Sequence, residues 1–230
     1  MKYNRQISLI GENGQARIKN AKVLVIGAGG LGSPVITYLA CAGVGNITVI
    51  DKDIVDITNL NRQFLYSECD INKSKALCVS EKYKNSDINL NGINAEVTNE
   101  NISTLLDGYD VVVDCVDNFN TRRIVNNFCV SQDINLVEAG IDGMYGFVTC
   151  INKNSACLEC LGINESKPKE KIAVLGTTAG VIGSLQANEC IKILLSLEEV
   201  LFSKMLQYDG FTNSFEVIDL QKSSTCALHK

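Results

Sequence analysis

Short apolar runs separated by helical segments fill the first two thirds of the chain. Residues 22–26 and 46–50 are two such runs, rich in valine and isoleucine. Apolar runs of this length are typical of buried strands. Residues 33–43 between them look helical, so the pattern predicts a strand, a helix and a second strand in succession.

The same alternation continues and predicts an α/β fold. We expect a doubly wound, Rossmann-like sheet that is mostly parallel in its N-terminal half, with antiparallel strands in its C-terminal half. A helical turn or two is expected at residues 15–20. Later strands are predicted at 89–97, 109–118, 135–140 and 146–152, with a hairpin of 204–208 and 214–220. Later helices are predicted at 73–84, 102–106, 120–131 and 177–197.

A glycine-rich turn links the first predicted strand to the helix that follows it. Residues 27–32 read Gly-Ala-Gly-Gly-Leu-Gly, the G-x-G-x-x-G pattern of dinucleotide-binding folds. Glycines there let backbone N–H groups approach phosphate oxygens, and the helix adds positive potential. Asp51, at the end of the second strand, can accept hydrogen bonds from ribose hydroxyls. The unit predicts a nucleotide site without saying which nucleotide it holds.

Basic residues near this turn bear on the number of phosphates. Arg62 lies in the polar loop of residues 51–63, and Lys73 and Lys75 stand at the start of the helix predicted at 73–84. Cations at a helix N-terminus oppose the macrodipole, so a bound anion would explain the two lysines. A triphosphate needs a cation such as Arg62. The alternative is that Arg62, Lys73 and Lys75 are all solvated surface residues.

Two carboxylates close the strand predicted at 109–118. Because the carboxyl ends of parallel strands meet at one edge of a sheet, Asp114 and Asp117 are expected beside the glycine turn. Asp117 could hold Mg²⁺ next to the phosphates, or it could cap the following helix. Asp114 better suits a structural role.

Length and composition fit one α/β domain covering residues 1–230. Hydrophobic residues make up 46% of the chain, enough for a sizeable core, and the net charge is −5. That charge argues against a nucleic-acid-binding surface. Residues 1–9 are polar and unlike a signal peptide, and polar residues break the apolar stretch at 172–197, so no membrane span is expected. We therefore predict a cytoplasmic protein.

Ten cysteines are present. Cys41, Cys78, Cys115 and Cys190 lie in apolar segments and are expected to be reduced core residues. The strand and helix pattern needs no disulfide bonds, so a reducing compartment is predicted.

Four late residues have the chemistry of a zinc site. Cys157 and Cys160 have the spacing of half a zinc knuckle, and Cys226 and His229 supply a second pair. Three thiolates and an imidazole form a closed set typical of structural zinc, which would fasten the C-terminal tail to the rest of the fold. A redox-active Cys-x-x-Cys with a free tail is the alternative.

In this order the motifs resemble those of the ThiF/MoeB/HesA adenylyltransferases, relatives of the ubiquitin-activating enzymes, with a length and layout nearest to the ThiF type of thiazole biosynthesis. The likeness covers essentially the whole chain. A glycine fingerprint alone is weakly specific, but the ordered set is highly specific. The matching pieces are Tyr3-x-Arg5-Gln6, Gly27-x-Gly29-Gly30-Leu31-Gly32-Ser33, Asp51-x-Asp53-x-Val55, Asn59-Leu60-x-Arg62-Gln63, Lys73-x-Lys75-Ala76, Asp114-Cys115-x-Asp117-Asn118, Cys157-x-x-Cys160 and Gly180-x-x-Gly183-Ser184-Leu185-Gln186-Ala187.

The resemblance implies an enzyme that uses ATP and Mg²⁺ to activate the C-terminal glycine carboxylate of a ubiquitin-like sulfur-carrier protein. The carboxylate would attack the α-phosphate, giving an acyl-adenylate and pyrophosphate. The resemblance also implies a homodimer in which Arg5 reaches the triphosphate of the partner subunit, and Mg²⁺ binding by Asp117. The implied nucleotide-contacting positions are Gly29, Gly30, Asp51, Asp53, Asn59, Arg62, Gln63, Lys75, Asp117 and Asn118, of which Arg62, Lys75 and Asp117 act in the reaction together with Arg5.

Three features depart from the family pattern. His229 stands where a second Cys-x-x-Cys pair is usual, and the charged crossover loop at 164–176 holds no cysteine. We also expect no sulfurtransferase domain after the metal residues, although some family members append one. Family members that form a covalent adduct carry a cysteine in that loop. We therefore expect the acyl-adenylate to pass to a separate sulfur or amine donor, with Cys69 or Cys150 as rival attacking thiols.

Thiamin or molybdopterin synthesis is the expected context, and the sequence does not identify the carrier. A second reading within the family is activation of a ribosomal peptide for natural-product tailoring. From another class, a nicotinamide-dependent oxidoreductase is opposed by Arg62, Lys75 and Asp117. A non-enzymatic binding module would leave the phosphate-contacting set idle.

Overall fold

The described residues form one eight-stranded sheet with helices on both faces. The computed structural model describes residues 2–162 and 173–229. The order of strands across the sheet is β3-β2-β1-β4-β5-β6-β7-β8. The strands are β1 Lys22–Ile26, β2 Asn46–Ile50, β3 Asn89–Ile93, β4 Val111–Asp114, β5 Asn135–Asp142, β6 Tyr145–Ile151, β7 Lys204–Asp209 and β8 Ser214–Asp219. The α-helices are α1 Asn4–Asn20, α2 Gly32–Ala42, α3 Lys75–Tyr83, α4 Ile102–Leu105, α5 Phe119–Gln132, α6 Leu158–Leu161 and α7 Gly176–Leu195.

The sheet divides into a parallel and an antiparallel half. Strands β3, β2, β1, β4 and β5 are parallel, and β6, β7 and β8 each run antiparallel to their neighbours. This division confirms the predicted fold class. The chain winds outward in opposite directions from β1 and β4, and a ligand crevice is expected at such a switch point.

Alternate residues of β1 point into two separate cores. Val23 and Val25 pack with buried residues of α2 and α7 on one face of the sheet. Leu24 and Ile26 pack with those of α4 and α5 on the other face. A central parallel strand is covered on both sides, which explains why its sequence is continuously apolar rather than alternating.

Helix α7 packs across the middle of the sheet, against α2, β4, β5 and β6. Its Gly183 lies so close to α2 that a Cβ there would be 2.6 Å from the Leu31 carbonyl oxygen. Its fully buried Gln186 donates from Nε2 to the Asp114 carbonyl oxygen at 2.7 Å. These contacts hold the middle of α7 near the glycine turn and the end of β4. Among the described residues, no helix combines the length and apolarity needed to cross a bilayer.

Several predicted boundaries were wrong. The first 20 residues are more helical than expected, because α1 continues through a bend at Gly11, where φ is +73°. Strand β3 stops at Ile93, and β4 stops at Asp114 because the following residues turn toward α5. Helix α3 begins at Lys75 and leaves Lys73 outside it.

The cysteines are only partly core residues. All ten lie within the described residues and none forms a disulfide bond. Cys115 and Cys190 are buried as predicted, whereas Cys41 is exposed and Cys78 is half-buried. Helix α2 presents Cys41 to solvent, so membership of an apolar helix did not imply burial. Residues 164–172 of the predicted crossover loop lie outside the described residues.

Candidate functional site

Polar residues from distant parts of the sequence meet at the carboxyl edge of the parallel strands. The glycine turn follows β1, Asp51 follows β2, and Asp117 lies shortly after β4. Lys75 starts α3 at the same edge, because α3 returns the chain from the end of β2 to the start of β3. The structure therefore gathers the central residues predicted to contact a nucleotide.

Two close backbone approaches shape the glycine turn. Gly27 has φ +95°, and a Cβ there would lie 2.6 Å from the Cys115 carbonyl oxygen. A Cβ on Gly32 would lie 2.1 Å from the Gly27 carbonyl oxygen, so both positions require glycine. The Tyr66 hydroxyl donates to the Ala28 carbonyl oxygen at 2.8 Å and fixes the middle of the turn. No local sequence pattern indicates this contact, because Tyr66 and Ala28 are 38 residues apart.

Gly29 and Gly30 face the side chains of Gln63 and Arg62. A Cβ on Gly29 would be 3.6 Å from Gln63 Nε2, and one on Gly30 would be 3.6 Å from Arg62 Cδ. The Arg62 guanidinium donates to the Thr58 carbonyl oxygen at 2.9 Å and forms no ion pair among the described residues. A guanidinium without an acidic partner, next to a phosphate-type turn, is suited to bind an anion.

Lys75 is buried beside this turn. Its Nζ lies 3.3 Å from Asp53 Oδ2, and its backbone N–H donates to the Asp53 carbonyl oxygen at 3.0 Å. An ammonium group has three donors, so this pair leaves donors available for a phosphate oxygen. Lys73 is exposed and lies 3.4 Å from Asp70 instead, so the expectation that both lysines begin the helix is wrong for Lys73.

Asp51 ties the glycine turn to the loop after β2. Its Oδ2 accepts the Ala28 N–H at 2.7 Å and its Oδ1 accepts the Asp53 N–H at 2.8 Å. Burial raises the pKa of the Asp51 carboxyl, and these two N–H groups oppose the rise. Each carboxylate oxygen keeps a second lone pair, so ribose hydroxyls could still donate to it.

Asn59 and Gln63 lie in the loop beneath the turn. Asn59 Oδ1 accepts the Asp56 N–H at 3.2 Å and so caps a short 3₁₀ turn. Gln63 is buried, and its Oε1 has no hydrogen-bond partner among the described residues. Leaving a buried amide oxygen unpaired costs roughly 1–3 kcal/mol. A ligand hydroxyl that donated to this oxygen would remove that cost.

Asp117 is exposed in the turn between β4 and α5. The N-cap of α5 is Asn118, whose Oδ1 accepts the Thr121 N–H at 2.9 Å. The capping alternative for Asp117 is therefore wrong, and its carboxylate makes no hydrogen bond within the described part of the chain. An exposed carboxylate at this edge of the sheet could hold Mg²⁺, which takes one or two carboxylates and completes its shell with phosphates and water.

Arg5 lies away from this site. It is exposed in the first turn of α1 and forms no ion pair with any described residue. The adjacent Gln6 donates from Nε2 to the Ala42 carbonyl oxygen at 2.9 Å, at the C-terminal end of α2. Because the N-terminal end of α2 carries the glycine turn, Arg5 lies near the opposite end of that helix, away from the glycine turn of its own chain.

The late cysteines and the histidine form one cluster. One ligand atom from each of Cys157, Cys160, Cys226 and His229 lies within 4.8 Å of all the others. Cys157 Sγ is 3.8 Å from both Cys160 Sγ and Cys226 Sγ. A tetrahedral zinc with Zn–S bonds of about 2.3 Å requires sulfur atoms about 3.8 Å apart.

The electrostatic environment of the cluster also suits a metal. Neither ring nitrogen of His229 has a hydrogen-bond partner among the described residues. Burial lowers the pKa of His229, which favours the neutral, ligating imidazole. Burial raises the pKa of the Cys157 thiol to about 12 without a metal, and a bound cation would reverse that effect. The donor set fits zinc.

The two rival attacking cysteines differ sharply. Cys150 is fully buried in β6, and burial raises the pKa of its thiol well above the ordinary value. The thiolate is the nucleophile, so this position is chemically inert. Cys69 is exposed, 3.1 Å from the Ser67 hydroxyl.

Sequence reasoning missed a buried charged group behind Asp117. Arg122 of α5 forms an ion pair with Glu138 of β5. Asp114, on the neighbouring strand β4, lies beside Glu138. Glu138 interrupts an otherwise apolar strand, and a lone carboxylate in such a run is a signal of a buried ion pair.

Comparison with known proteins supports the resemblance. A family model described as the ThiF family matches residues 3–228. The chain is 42% identical over 239 residues to the adenylyltransferase and sulfurtransferase MOCS3 of Anopheles gambiae, covering 99% of this chain and 54% of that protein. It is 35% identical over 240 residues to the sulfur carrier protein adenylyltransferase of Thermus thermophilus, covering 98% and 89%. The chain thus spans about half the length of the MOCS3 relatives that it matches.

Solved structures of MccB from E. coli share the fold. The structure with MccA-N7isoASN has a TM-score of 0.90 at 25% identity, covering 100% of this chain and 75% of MccB. The structure with ATP has a TM-score of 0.88 at 26% identity, covering 100% and 74%.

Proposed function

Since this chain belongs to the ThiF family, we propose that it is an ATP-dependent adenylyltransferase acting on the C-terminal glycine carboxylate of a ubiquitin-like sulfur-carrier protein. The observation that carries the proposal is the placement of Arg62, Lys75 and Asp117 at the sheet edge that carries the glycine turn. The name of the Thermus thermophilus relative supports the choice of substrate. The active unit would be one adenylation domain over residues 1–230.

The chemistry requires positioning more than acid–base catalysis. A carboxylate oxygen of the carrier attacks the α-phosphorus, an acyl–phosphate bond forms, the α–β phosphoanhydride bond breaks, and pyrophosphate leaves. The nucleophile is already ionised at neutral pH. Adenylyl transfer of this kind is accelerated mainly by alignment and by neutralising phosphate charge.

We propose the following roles, which the family resemblance implies and which the positions of the residues support. Asp51 would bind the ribose, with Gly29 and Gly30 allowing close backbone approach. Arg62 and Lys75 would neutralise phosphate charge. The remaining contacts would come from Asp53, Asn59, Gln63 and Asn118. Asp117 would hold Mg²⁺, which supplies further positive charge at the phosphates when bound.

The direct test is exchange of labelled pyrophosphate into ATP. Exchange should occur only with a carrier that ends in a free glycine carboxylate. Pull-down followed by mass spectrometry of the trapped carboxyl partner would identify that carrier and place the enzyme in thiamin, molybdopterin or another synthesis. Reduction of a nicotinamide cofactor, with no exchange, would instead favour an oxidoreductase.

A peptide is the second candidate for the carboxyl substrate. The shared fold with MccB, solved together with MccA-N7isoASN, favours it. The same pull-down separates the two candidates, because a short ribosomal peptide and a ubiquitin-like domain differ in mass.

We also propose that the enzyme is a homodimer in which Arg5 acts on the partner subunit's nucleotide. Arg5 lies at the wrong end of α2 for its own site. Leu9 follows one helical turn later on the same face of α1 and is 86% exposed. An exposed apolar side chain beside a cation that has no ion pair among the described residues supports a partner surface there.

Purified protein is expected to contain about one zinc per chain, held by the Cys157, Cys160, Cys226 and His229 cluster. Replacing His229 by alanine should speed zinc loss to a chelator at least about tenfold, because even outer-shell changes cost 10–100-fold in affinity. His229→Cys should retain the metal, since it restores four sulfur ligands. Elemental analysis measures the zinc content, and a colorimetric chelator measures the rate of zinc loss. Metal-free protein with normal folding and activity would contradict the zinc assignment.

The reaction is expected to stop at the acyl-adenylate, which would pass to a separate sulfur or amine donor. Within the described residues Cys69 is the exposed thiol among the two rivals, and Cys150 is buried. Enzyme, ATP and carrier would be incubated and examined by denaturing mass spectrometry with and without reductant. A carrier adduct on any cysteine would refute the hand-off, and its loss in Cys69→Ser would locate it.

A further inference from the structure

Two carboxyl groups are buried side by side behind the turn that carries Asp117. Asp114 and Glu138 are register partners on β4 and β5, so their side chains leave the same face of the sheet. Both residues are fully buried. Asp114 Oδ2 and Glu138 Oε2 each lack a hydrogen-bond donor among the described residues. Ionised carboxylates cannot donate to each other, whereas a proton on either group would let the two neighbours hydrogen-bond.

Arg122 joins this pair to the turn. One of its terminal nitrogens, Nη1, contacts Glu138 Oε1 and donates to the Ala139 carbonyl oxygen at 2.7 Å. The other, Nη2, donates to the Val116 carbonyl oxygen at 3.0 Å. The planar guanidinium therefore spans from β5 to the residue immediately before Asp117.

Val116 is held on both sides. Its N–H donates to Asp114 Oδ1 at 2.9 Å, and its carbonyl accepts from Arg122. That carbonyl belongs to the peptide group that joins Val116 to Asp117. Fixing the plane of this peptide fixes the N and Cα atoms of Asp117, and the N-cap hydrogen bond of Asn118 holds the next residue, so together they restrict the direction of the Asp117 side chain. The exposed Asp117 has no other described anchor for its side chain.

A single proton completes the cluster. Burial raises the pKa of Glu138 well above its ordinary value and also raises the pKa of Asp114, while Arg122 opposes both rises. Both pKa values rise and the two carboxyls lie side by side, so the pair is expected to hold one proton between them. One neutral acid, one carboxylate and one guanidinium leave no net buried charge, which avoids a large desolvation cost.

We propose that Glu138 is a positioning residue for the magnesium–nucleotide complex: it orients Arg122, which clamps the Val116 carbonyl and thereby aims the Asp117 carboxylate. The inference rests on the proposed function, because it assumes that Asp117 meets Mg²⁺ and phosphates. Outer-shell partners of this kind tune metal affinity about 10–100-fold.

The test measures nucleotide binding without a carrier. ATP is titrated by calorimetry into wild-type protein and variants, once with excess Mg²⁺ and once with EDTA. The magnesium-dependent gain in affinity should fall at least about tenfold in Glu138→Leu, with affinity for metal-free ATP unchanged. Glu138→Gln should stay within about twofold of wild type, because a neutral amide can still donate to Asp114 and accept from Arg122.

Arg122→Lys provides a second route if Glu138→Leu does not fold. Lysine keeps the charge but cannot bridge Val116 and Glu138, so the same loss is expected. Glu189→Leu is the matched control. Glu189 lies on α7 and is also buried, and its carboxylate accepts the Leu201 N–H at 3.0 Å. Its replacement should leave the magnesium-dependent gain in ATP affinity intact.

A double-variant cycle tests whether Glu138 acts through Asp117. In an Asp117→Ala background, Glu138→Leu should cause no further loss of the magnesium-dependent gain. The proposal would be overturned if the losses of the magnesium-dependent gain were additive in the double variant. It would also be overturned if that gain were unchanged in both Glu138→Leu and Arg122→Lys, or if Glu189→Leu lost it equally. Failure of wild-type protein to bind ATP with magnesium would instead count against the proposed function.

Discussion

Replacing Asp117 by alanine is expected to lower carrier-dependent pyrophosphate exchange by at least about a hundredfold. The change removes the carboxylate proposed to hold Mg²⁺ where charge develops in the transition state, and loss of such an electrostatic group typically costs 10²–10³ in rate. A hundredfold corresponds to about 2.7 kcal/mol of transition-state stabilisation. Initial exchange rates at saturating ATP and Mg²⁺ measure the effect directly.

The loss should appear in rate and not in stability. Asp117 is exposed and makes no hydrogen bond among the described residues, so its truncation is expected to change the free energy of unfolding by no more than about 0.5 kcal/mol. Asp107→Ala is the matched control, because Asp107 is also exposed but precedes β4, at the opposite end of that strand. Full exchange activity in Asp117→Ala would remove the main support for the adenylation site.

Mixing Arg5→Ala and Asp117→Ala chains should restore activity that neither variant has alone. In a symmetric dimer with Arg5 acting in trans, a hybrid contains one site that has both wild-type residues. Random pairing makes about half of the dimers hybrids, so about a quarter of the wild-type activity should return. Two different affinity tags allow the hybrid to be purified before exchange is measured.

Arg62→Ala mixed with Asp117→Ala is the matched control for that experiment. Arg62 and Asp117 belong to the same chain's site, beside one glycine turn, so every site in the hybrid lacks one of them. No recovery is expected from this mixture. If the purified Arg5 and Asp117 hybrid were equally inactive, Arg5 would not act across the subunits.

Local sequence was sufficient for the nucleotide-binding framework. All of its parts lie between residues 22 and 51: the apolar runs of β1 and β2, the glycines between them, and Asp51. Their spacing along the chain therefore determines how they are arranged in space. The close contact between Gly32 and the Gly27 carbonyl shows why that spacing needs glycine. Steric restrictions of this kind act between residues a few positions apart, so they can be predicted from the sequence.

Local spacing was less reliable at element ends. The run of residues 109–118 reads as one strand, yet β4 stops at Asp114 and Asn118 takes the cap of α5. Either Asp117 or Asn118 has the chemistry of an N-cap. Which of the two residues caps α5 depends on the position of Val116, which is bound by Asp114 and Arg122. Arg122 is itself paired with Glu138 of β5, so the choice depends on tertiary structure.

The sequence by itself determined the fold class, the nucleotide turn, and the identity of the four clustered zinc-type ligands. Tertiary structure alone decided which distant residues meet. Strand register placed Glu138 beside Asp114, and the direction of α2 put Arg5 at the end remote from its own glycine turn. The reason is physical: side-chain chemistry is local, but partnership, burial and the charge state of a buried carboxyl depend on packing between segments that the sequence separates.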